Sequence, residues 1–250
     1  MTNNNIYFIA NWKMYGVIES LKTIKNVISL SNNRSLNKVN IIYCPPYTLL
    51  REFVKKTKNS NISVGAQNCH QQSDYGSYTG HINSKMIKNI GCKYIILGHS
   101  ENRIMGDTDE IINKKIKSSL KENLKIIFCI GETLKQKKNN QTNVILKKQI
   151  KKGLKGIKNI NNILISYEPV WSIGTGIIPK VDELKKQIVF IKKILSQNFS
   201  SKKIKILYGG SVNQANIKNL KQIEQINGFL VGGASQNYKK FIDIIKKSIN

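Results

Sequence analysis

The sequence predicts an α/β protein, a single-domain (β/α)8 barrel, and two observations carry that expectation. Short apolar, β-leaning runs alternate with longer amphipathic stretches eight times over, the pattern of parallel strands joined by helices. The chain has 250 residues, the size of eight such units closed into a barrel. No low-complexity linker or break in composition divides it, so residues 1–250 are expected to form one domain. A doubly wound open sheet is the alternative, because periodicity does not show closure.

In chain order the strand-like runs are Ile6–Ala10, Val39–Cys44, Ile62–Ala66, Tyr94–Leu97, Ile126–Ile130, Ile163–Tyr167, Ile204–Tyr208 and Gly228–Val231. Between them, Leu21, Ile24, Val27 and Ile28 repeat at helical spacing, as do Ile112, Ile116 and Leu120. Further amphipathic stretches cover 141–155, 182–197, 213–225 and 236–249. The stretch 67–83 is the exception: polar, with Gly76 and Gly80 and no helical period. A loop of that length is expected to be functional.

The segment Tyr167–Pro179, Y-E-P-V-W-S-I-G-T-G-I-I-P, organises the rest. Ile163–Tyr167 reads as a buried parallel strand, with Glu168 at its carboxyl end. Pro169 pushes Glu168 out of the α region, so the carboxylate is expected on extended backbone. Val170 and Trp171 form an apolar pair that can grip a surface, and Ile173 follows. Gly174, Thr175 and Gly176 then supply a permissive middle, and Pro179 a stiff end. Residues 169–179 are therefore expected to form a closing lid.

Charge is the unusual feature of the composition. The chain carries 41 Lys+Arg against 14 Asp+Glu, a formal net charge of +27 and a pI near 9.9. A nucleic-acid or anionic-membrane binder would place such charge in stripes. Here Lys, Asn and Ile are over-used together while Arg is scarce, and the lysines follow polar helix faces, as in Ile150-Lys151-Lys152. Compositional drift is the expectation, with no specific nucleic-acid partner. Cys44, Cys69, Cys92 and Cys129 show no metal-binding spacing and are expected as reduced, buried thiols. A polar amino-terminus and the lack of a membrane-length apolar run lead to the expectation of a cytoplasmic protein without a membrane partner.

In such a barrel the site forms at the carboxyl ends of the strands. The first run is followed by Asn11-Trp12-Lys13, the fourth by Gly98-His99-Ser100-Glu101 and the sixth by Glu168. The seventh gives Gly209-Gly210-Ser211, and the eighth gives Gly232-Gly233-Ala234-Ser235. Paired double-glycine turns on the last two strands are a phosphate signal, since they let backbone N–H groups approach an anion. A carboxylate, a histidine, a lysine and a phosphate cradle on one rim point to proton chemistry. Glu168 can take a proton from carbon, His99 can polarise a carbonyl, and Lys13 can offset negative charge.

The chain resembles the triosephosphate isomerase family over essentially its whole length. The resemblance rests on N-W-K at 11–13, G-H-S-E at 98–101, C-I-G-E at 129–132, and Y-E-P-V-W with I-G-T-G at 167–176. It is completed by Y-G-G-S-V at 208–212 and L-V-G-G-A-S at 230–235. It implies a TIM barrel that interconverts dihydroxyacetone phosphate and glyceraldehyde 3-phosphate through an enediolate, with no cofactor and no metal. Glu168 would be the base, His99 the electrophile and Lys13 the cationic stabiliser, with Asn11 beside it. Glu101 would support Lys13, and Cys129 and Glu132 would lie behind the site. The backbones of Gly174, Ser211, Gly232 and Gly233 would hold the phosphate. The 67–83 loop resembles the family's dimer arm, implying a homodimer in which Thr79 reaches the partner's site. Another phosphate-binding barrel enzyme would share the glycines but not the E-P-V-W lid, and a repurposed barrel would not be expected to keep Lys13, His99 and Glu168.

Three departures stand out. His81 replaces the family's usual glutamate in the arm, and Asn102 replaces its usual arginine after H-S-E. The two are expected to have been lost together from an interface salt bridge, since losing one alone leaves a poorly paired charge. Ile177-Ile178-Pro179 replaces the commonest hinge, Lys-Thr-Ala, which predicts altered lid kinetics with activity kept. His70 and His81 have no evident chemical partner in the sequence and read as polar loop residues.

Overall fold

A computed structural model describes residues 5–199 and 204–249. The apolar runs become parallel strands β1 (Ile6–Asn11), β2 (Val39–Cys44), β3 (Ile62–Ala66), β4 (Tyr94–Leu97), β5 (Lys125–Ile130), β6 (Ile163–Tyr167), β7 (Lys205–Tyr208) and β8 (Gly228–Val231). Each pairs with the next, and β8 pairs back onto β1 with Tyr7 opposite Gly228. The sheet is therefore a closed eight-stranded barrel, and the open-sheet alternative is excluded. The join between β1 and β8 is tight, because a Cβ on Gly228 would lie 2.7 Å from the Tyr7 nitrogen.

Successive strand residues point to opposite faces, so each strand serves two layers. Tyr7 and Ile9, Ile127 and Cys129, and Leu164 fill the barrel interior. The alternate residues, such as Phe8, Ala10, Tyr43 and Phe128, pack outward against the helices. Because both layers are apolar, the strands read as unbroken hydrophobic runs.

The outer ring comprises α1 (Ile24–Ser31), α2 (Tyr47–Thr57), α3 (Ser84–Asn89), α4 (Ser100–Ile104), α5 (Asp109–Lys121), α6 (Leu134–Lys138), α7 (Thr142–Gly153), α8 (Val181–Asn198), α9 (Ile217–Lys221) and α10 (Tyr238–Ile249). Helix α5 starts at Thr108, whose side chain accepts the Ile111 N–H, and carries Asp109 and Glu110 in its first turn. Those acids complement the positive end of the helix dipole. Helix α10 buries Phe241, Ile244, Ile245 and Ser248 on one stripe.

Two expected helices differ. The period from Leu21 to Ile28 spans a 3₁₀ turn, Ile18–Thr23, before α1 begins. The stretch 213–225 contains only the short α9, because Asn213 and Asn216 divert the backbone into a turn. The Asn213 side chain accepts the Ala215 and Asn216 N–H groups, while Asn216 accepts the Asn213 N–H. The 67–83 segment holds no helix, as expected. His70 and His81 do find partners: their rings lie 4.7 Å apart, and Tyr78 lies 4.5 Å from His70.

All four cysteines are free and buried. Among the described residues the lysines are mostly exposed, with one clear exception. Lys115 on α5 is only 5% exposed and donates to both Asp107 carboxylate oxygens, at 2.6 and 2.7 Å, and to the Asn68 side chain. Among the described residues, no helix is long and apolar enough to cross a membrane.

Candidate active site

On β6, Leu164, Ser166 and Glu168 share one parity, so they face the barrel axis in ascending order. The Glu168 N–H continues the ladder by donating to Ile130 O at 2.8 Å, which places its side chain just above the strand end. The carboxylate is buried, at 2% exposure. Its Oε1 accepts from Ser166 Oγ at 3.3 Å, while Oε2 is buried without a hydrogen-bond partner. Burial pushes the Glu168 pKa above the usual carboxylate range, against the lowering influence of His99, Cys129, Ser166 and Lys13. Gly209 leaves the space the carboxylate needs: a Cβ there would lie 2.6 Å from Glu168 Cγ and 2.8 Å from Ser166 Oγ. The Cys129 thiol, its own pKa raised by burial, lies against the same carboxylate from β5.

His99 caps α4. Its Nδ1 accepts the Glu101 N–H at 3.3 Å, which occupies that lone pair and leaves the ring proton on Nε2. The Glu101 carboxylate is also near Nδ1, but at 3.6 Å it is too far for a hydrogen bond. Nε2 faces the free Glu168 Oε2 at 3.9 Å. One base oxygen and one N–H donor thus converge on the same small space.

Lys13 follows β1 with φ of 57°, a left-handed conformation that costs a lysine about 1–3 kcal/mol. Two side chains hold it there. Asn11 Oδ1 accepts the Lys13 N–H at 3.1 Å, and Gln67 Nε2 donates to both Lys13 O and Cys44 O at 2.8 Å. The Lys13 ammonium meets Glu101 Oε1 at 2.6 Å. Gln67 was not anticipated as a site residue. Its only signal in the sequence is its position at the end of the third strand.

A cavity of about 200 Å3 joins Asn11, Lys13 and His99 to Gly174, Ser211, Gly232 and Gly233, with Ile173 and Leu230 as its apolar wall. Lys13 and His99 therefore share one chamber with the expected phosphate cradle, while Glu168 lies behind its wall, under Gly209 and against His99. A second cavity of about 610 Å3 adjoins it, also reached by Asn11, Lys13 and His99, and bounded by Met14, His81 and Asn102. Thr79 lies exposed on the arm and lines neither cavity within this chain.

The lid begins as a 3₁₀ turn, Val170–Ser172. Trp171 anchors it: the indole Nε1 donates to Glu132 at 2.8 Å, and the Lys137 ammonium sits 3.7 Å from its ring. The Tyr167 hydroxyl donates to the same Glu132 carboxylate. Gly174 and Gly176 both take positive φ, at 71° and 78°, so the permissive middle is used as such. Thr175 bridges this bend by accepting the Ile177 N–H at 3.2 Å. Arg103, also not anticipated, ties the β4 and β5 loops together through Gly98 O, Cys129 O and Asp109.

Comparison with known proteins identifies the family. The family model for triosephosphate isomerase matches residues 6–248. A triosephosphate isomerase of Endomicrobium trichonymphae is 40% identical over 248 residues, covering 96% of this chain and 97% of its own. That of Dictyoglomus thermophilum is 41% identical over 244 residues, covering 95% and 97%. The crystal structure of triosephosphate isomerase from Bartonella henselae superposes with a TM-score of 0.90 at 32% identity, covering 98% of this chain and 100% of its own. With the family model matched almost end to end and relatives near 40% identity over their full length, this chain belongs to the triosephosphate isomerase family.

Proposed function

We propose that Glu168, His99 and Lys13 carry the interconversion of dihydroxyacetone phosphate and glyceraldehyde 3-phosphate, the glycolytic reaction of this family. Glu168 Oε2 removes a proton from the carbon next to the carbonyl. His99 Nε2–H donates to the carbonyl oxygen as the enediolate forms and then moves protons between the two oxygens. Glu168 returns its proton to the neighbouring carbon. Lys13 offsets the negative charge that develops on oxygen. Only protons move, so the sequence calls for no cofactor.

The observation that carries this reading is the Glu168 carboxylate, desolvated and with one oxygen left unpartnered beside an N–H donor. Buried polar atoms are normally hydrogen-bonded, and a persistent exception at the rim of a barrel suits a base awaiting its proton. The N–H groups of Gly174, Ser211, Gly232 and Gly233 hold the phosphate, and the lid excludes water. Turnover of glyceraldehyde 3-phosphate by the purified protein tests the reading, with loss of turnover in Glu168→Gln as the expected result.

A homodimer in the cytoplasm is the working form this reading implies. Ten of the fourteen exposed large hydrophobic side chains fall between residues 14 and 105, on the segments that follow β1 to β4. Apolar side chains gathered on the segments after four neighbouring strands favour a partner on that side of the barrel. The 610 Å3 cavity beside Lys13 is where Thr79 of the partner subunit would lie. His81 and Asn102 border the same cavity, consistent with paired loss of an interface salt bridge. Sedimentation at micromolar concentration tests this, with a mass of two chains expected.

A further inference from the structure

Ser172 lies inside the lid, is fully buried, and has no part in the chemistry above. Its hydroxyl is nevertheless the meeting point of three elements. Oγ–H donates to Ile177 O at 2.6 Å, tying the start of the lid to its far hinge. That bond uses the hydroxyl's single proton, so the 3.0 Å contact with Tyr208 OH must run the other way, with the phenol donating. Burial pushes Tyr208 up to about 12, so the phenol keeps the proton it needs for this. The Ser211 N–H also donates to Ser172 Oγ, at 3.4 Å. One donor and two acceptor positions are filled, the full capacity of a hydroxyl.

Gly210 fits this arrangement. A Cβ there would lie 2.7 Å from Ser172 Oγ and would overlap the Tyr208 hydroxyl. The second glycine of the Gly209-Gly210 turn therefore leaves room for the hydroxyl cluster, whereas Gly209 leaves room for Glu168.

We propose that Ser172 is a positioning residue for the substrate phosphate, holding the lid and the Ser211 amide in register around the phosphate cavity before substrate arrives. Magnitudes decide the direction of the effect. The Ser211 N–H bond is long and weak, so an entering phosphate can take that donor over at little cost. The bonds to Ile177 O and Tyr208 are short and buried, and they persist as the frame. Without the hydroxyl, a carbonyl, a phenol and an amide lose a partner beside the phosphate chamber. The effect should then fall on the part of the substrate that the chamber holds.

This inference rests on the isomerase reading, and the test separates the two. kcat/KM is measured for glyceraldehyde 3-phosphate and for glyceraldehyde, which lacks the phosphate, in the wild type and in Ser172→Ala. The ratio of the two values is expected to fall about tenfold in the variant, the loss of roughly one hydrogen bond's preorganisation. An unchanged ratio overturns the proposal, whether both values fall together or neither moves. A wild type that does not turn over glyceraldehyde 3-phosphate would instead overturn the isomerase reading itself. If Ser172→Ala does not fold, titration of the wild type with inorganic phosphate decides the matter by NMR. The Ser211 and Ser172 amide resonances are expected to shift together, and a shift of Ser211 alone overturns the coupling.

Discussion

Glu168 Oε2 and His99 Nε2 stand 3.9 Å apart, with the carboxylate oxygen buried and lacking a hydrogen-bond partner. The gap is wider than a hydrogen bond, so neither group is spent on the other, and a substrate beside the pair can meet base and donor together, about 3 Å from each. Burial is the largest influence on Glu168 and raises its pKa above the usual carboxylate range. The acid limb of kcat/KM is therefore expected above the ordinary carboxylate range. A limb at the ordinary value would show that substrate meets a solvated carboxylate.

The same shift makes a stability prediction of definite sign. A carboxyl group whose folded pKa is raised binds its proton more tightly in the native state than in the unfolded one. Its contribution is fully present below the unfolded pKa and is lost as pH rises through the raised folded value. Glu168→Gln should therefore unfold at a higher temperature than the wild type at neutral pH, and the difference should shrink in acid. A variant less stable than the wild type at neutral pH would contradict the assignment of burial as the dominant influence.

Lys13 couples strain to charge. The left-handed backbone and the 2.6 Å contact with Glu101 are held from three sides, by Asn11, Gln67 and Glu101. Removing one stabilising donor from an active site costs about 10²–10³ in kcat, and Lys13→Gln should lose at least that much. Gln67→Ala leaves the ammonium in place but frees the strained backbone. It is expected to lower kcat/KM by about tenfold, a tenth of the lesser Lys13 effect. Steady-state kinetics of the two variants side by side tests this, and equal losses would contradict it.

Lys115 and Asp107 form the most buried lysine–carboxylate pair among the described residues. Truncating one partner of such a pair leaves an uncompensated charge and costs about 3–5 kcal/mol. Asp107→Ala is expected to destabilise the fold by about that amount in urea unfolding. Exposed pairs such as Lys55–Glu52 should contribute less than about 1 kcal/mol. Similar losses for Asp107→Ala and Glu52→Ala would contradict this ranking.

The +27 charge bears on encounter rather than on fold. A cationic protein draws in a dianionic substrate over distances that salt screens. kcat/KM is expected to fall as ionic strength rises, with kcat little changed. A flat profile would leave the surplus charge without a role in capture.

The sequence made the barrel and the rim legible for a common reason. Strands buried on both faces read as apolar runs, and the residues just beyond them, Lys13, His99 and Glu168, break that pattern with charge or polarity. Closure was legible only through the count of eight units in 250 residues, because β8 reaching β1 is a contact that no local pattern records. Gln67 and Arg103 stayed hidden for a related reason. Each acts through long-range bonds to backbone oxygens, Gln67 to Lys13 O and Cys44 O, Arg103 to Gly98 O and Cys129 O. Backbone oxygens are present at every residue and so carry no signal. The pairing of His70 with His81 was likewise invisible, since it depends on how the arm folds back on itself. The short α9 shows local side-chain hydrogen bonds from Asn213 and Asn216 prevailing over an apolar period.

The most direct test is the isomerisation of glyceraldehyde 3-phosphate by the wild type beside Glu168→Asp. The shorter side chain keeps the carboxylate but withdraws it from the substrate carbon. A general base contributes about 10²–10⁴-fold, so a loss of at least about 10²-fold in kcat is predicted, with KM changed far less. Wild-type turnover that survives in both Glu168→Asp and Glu168→Gln, which removes the carboxylate, would show that another group takes the proton.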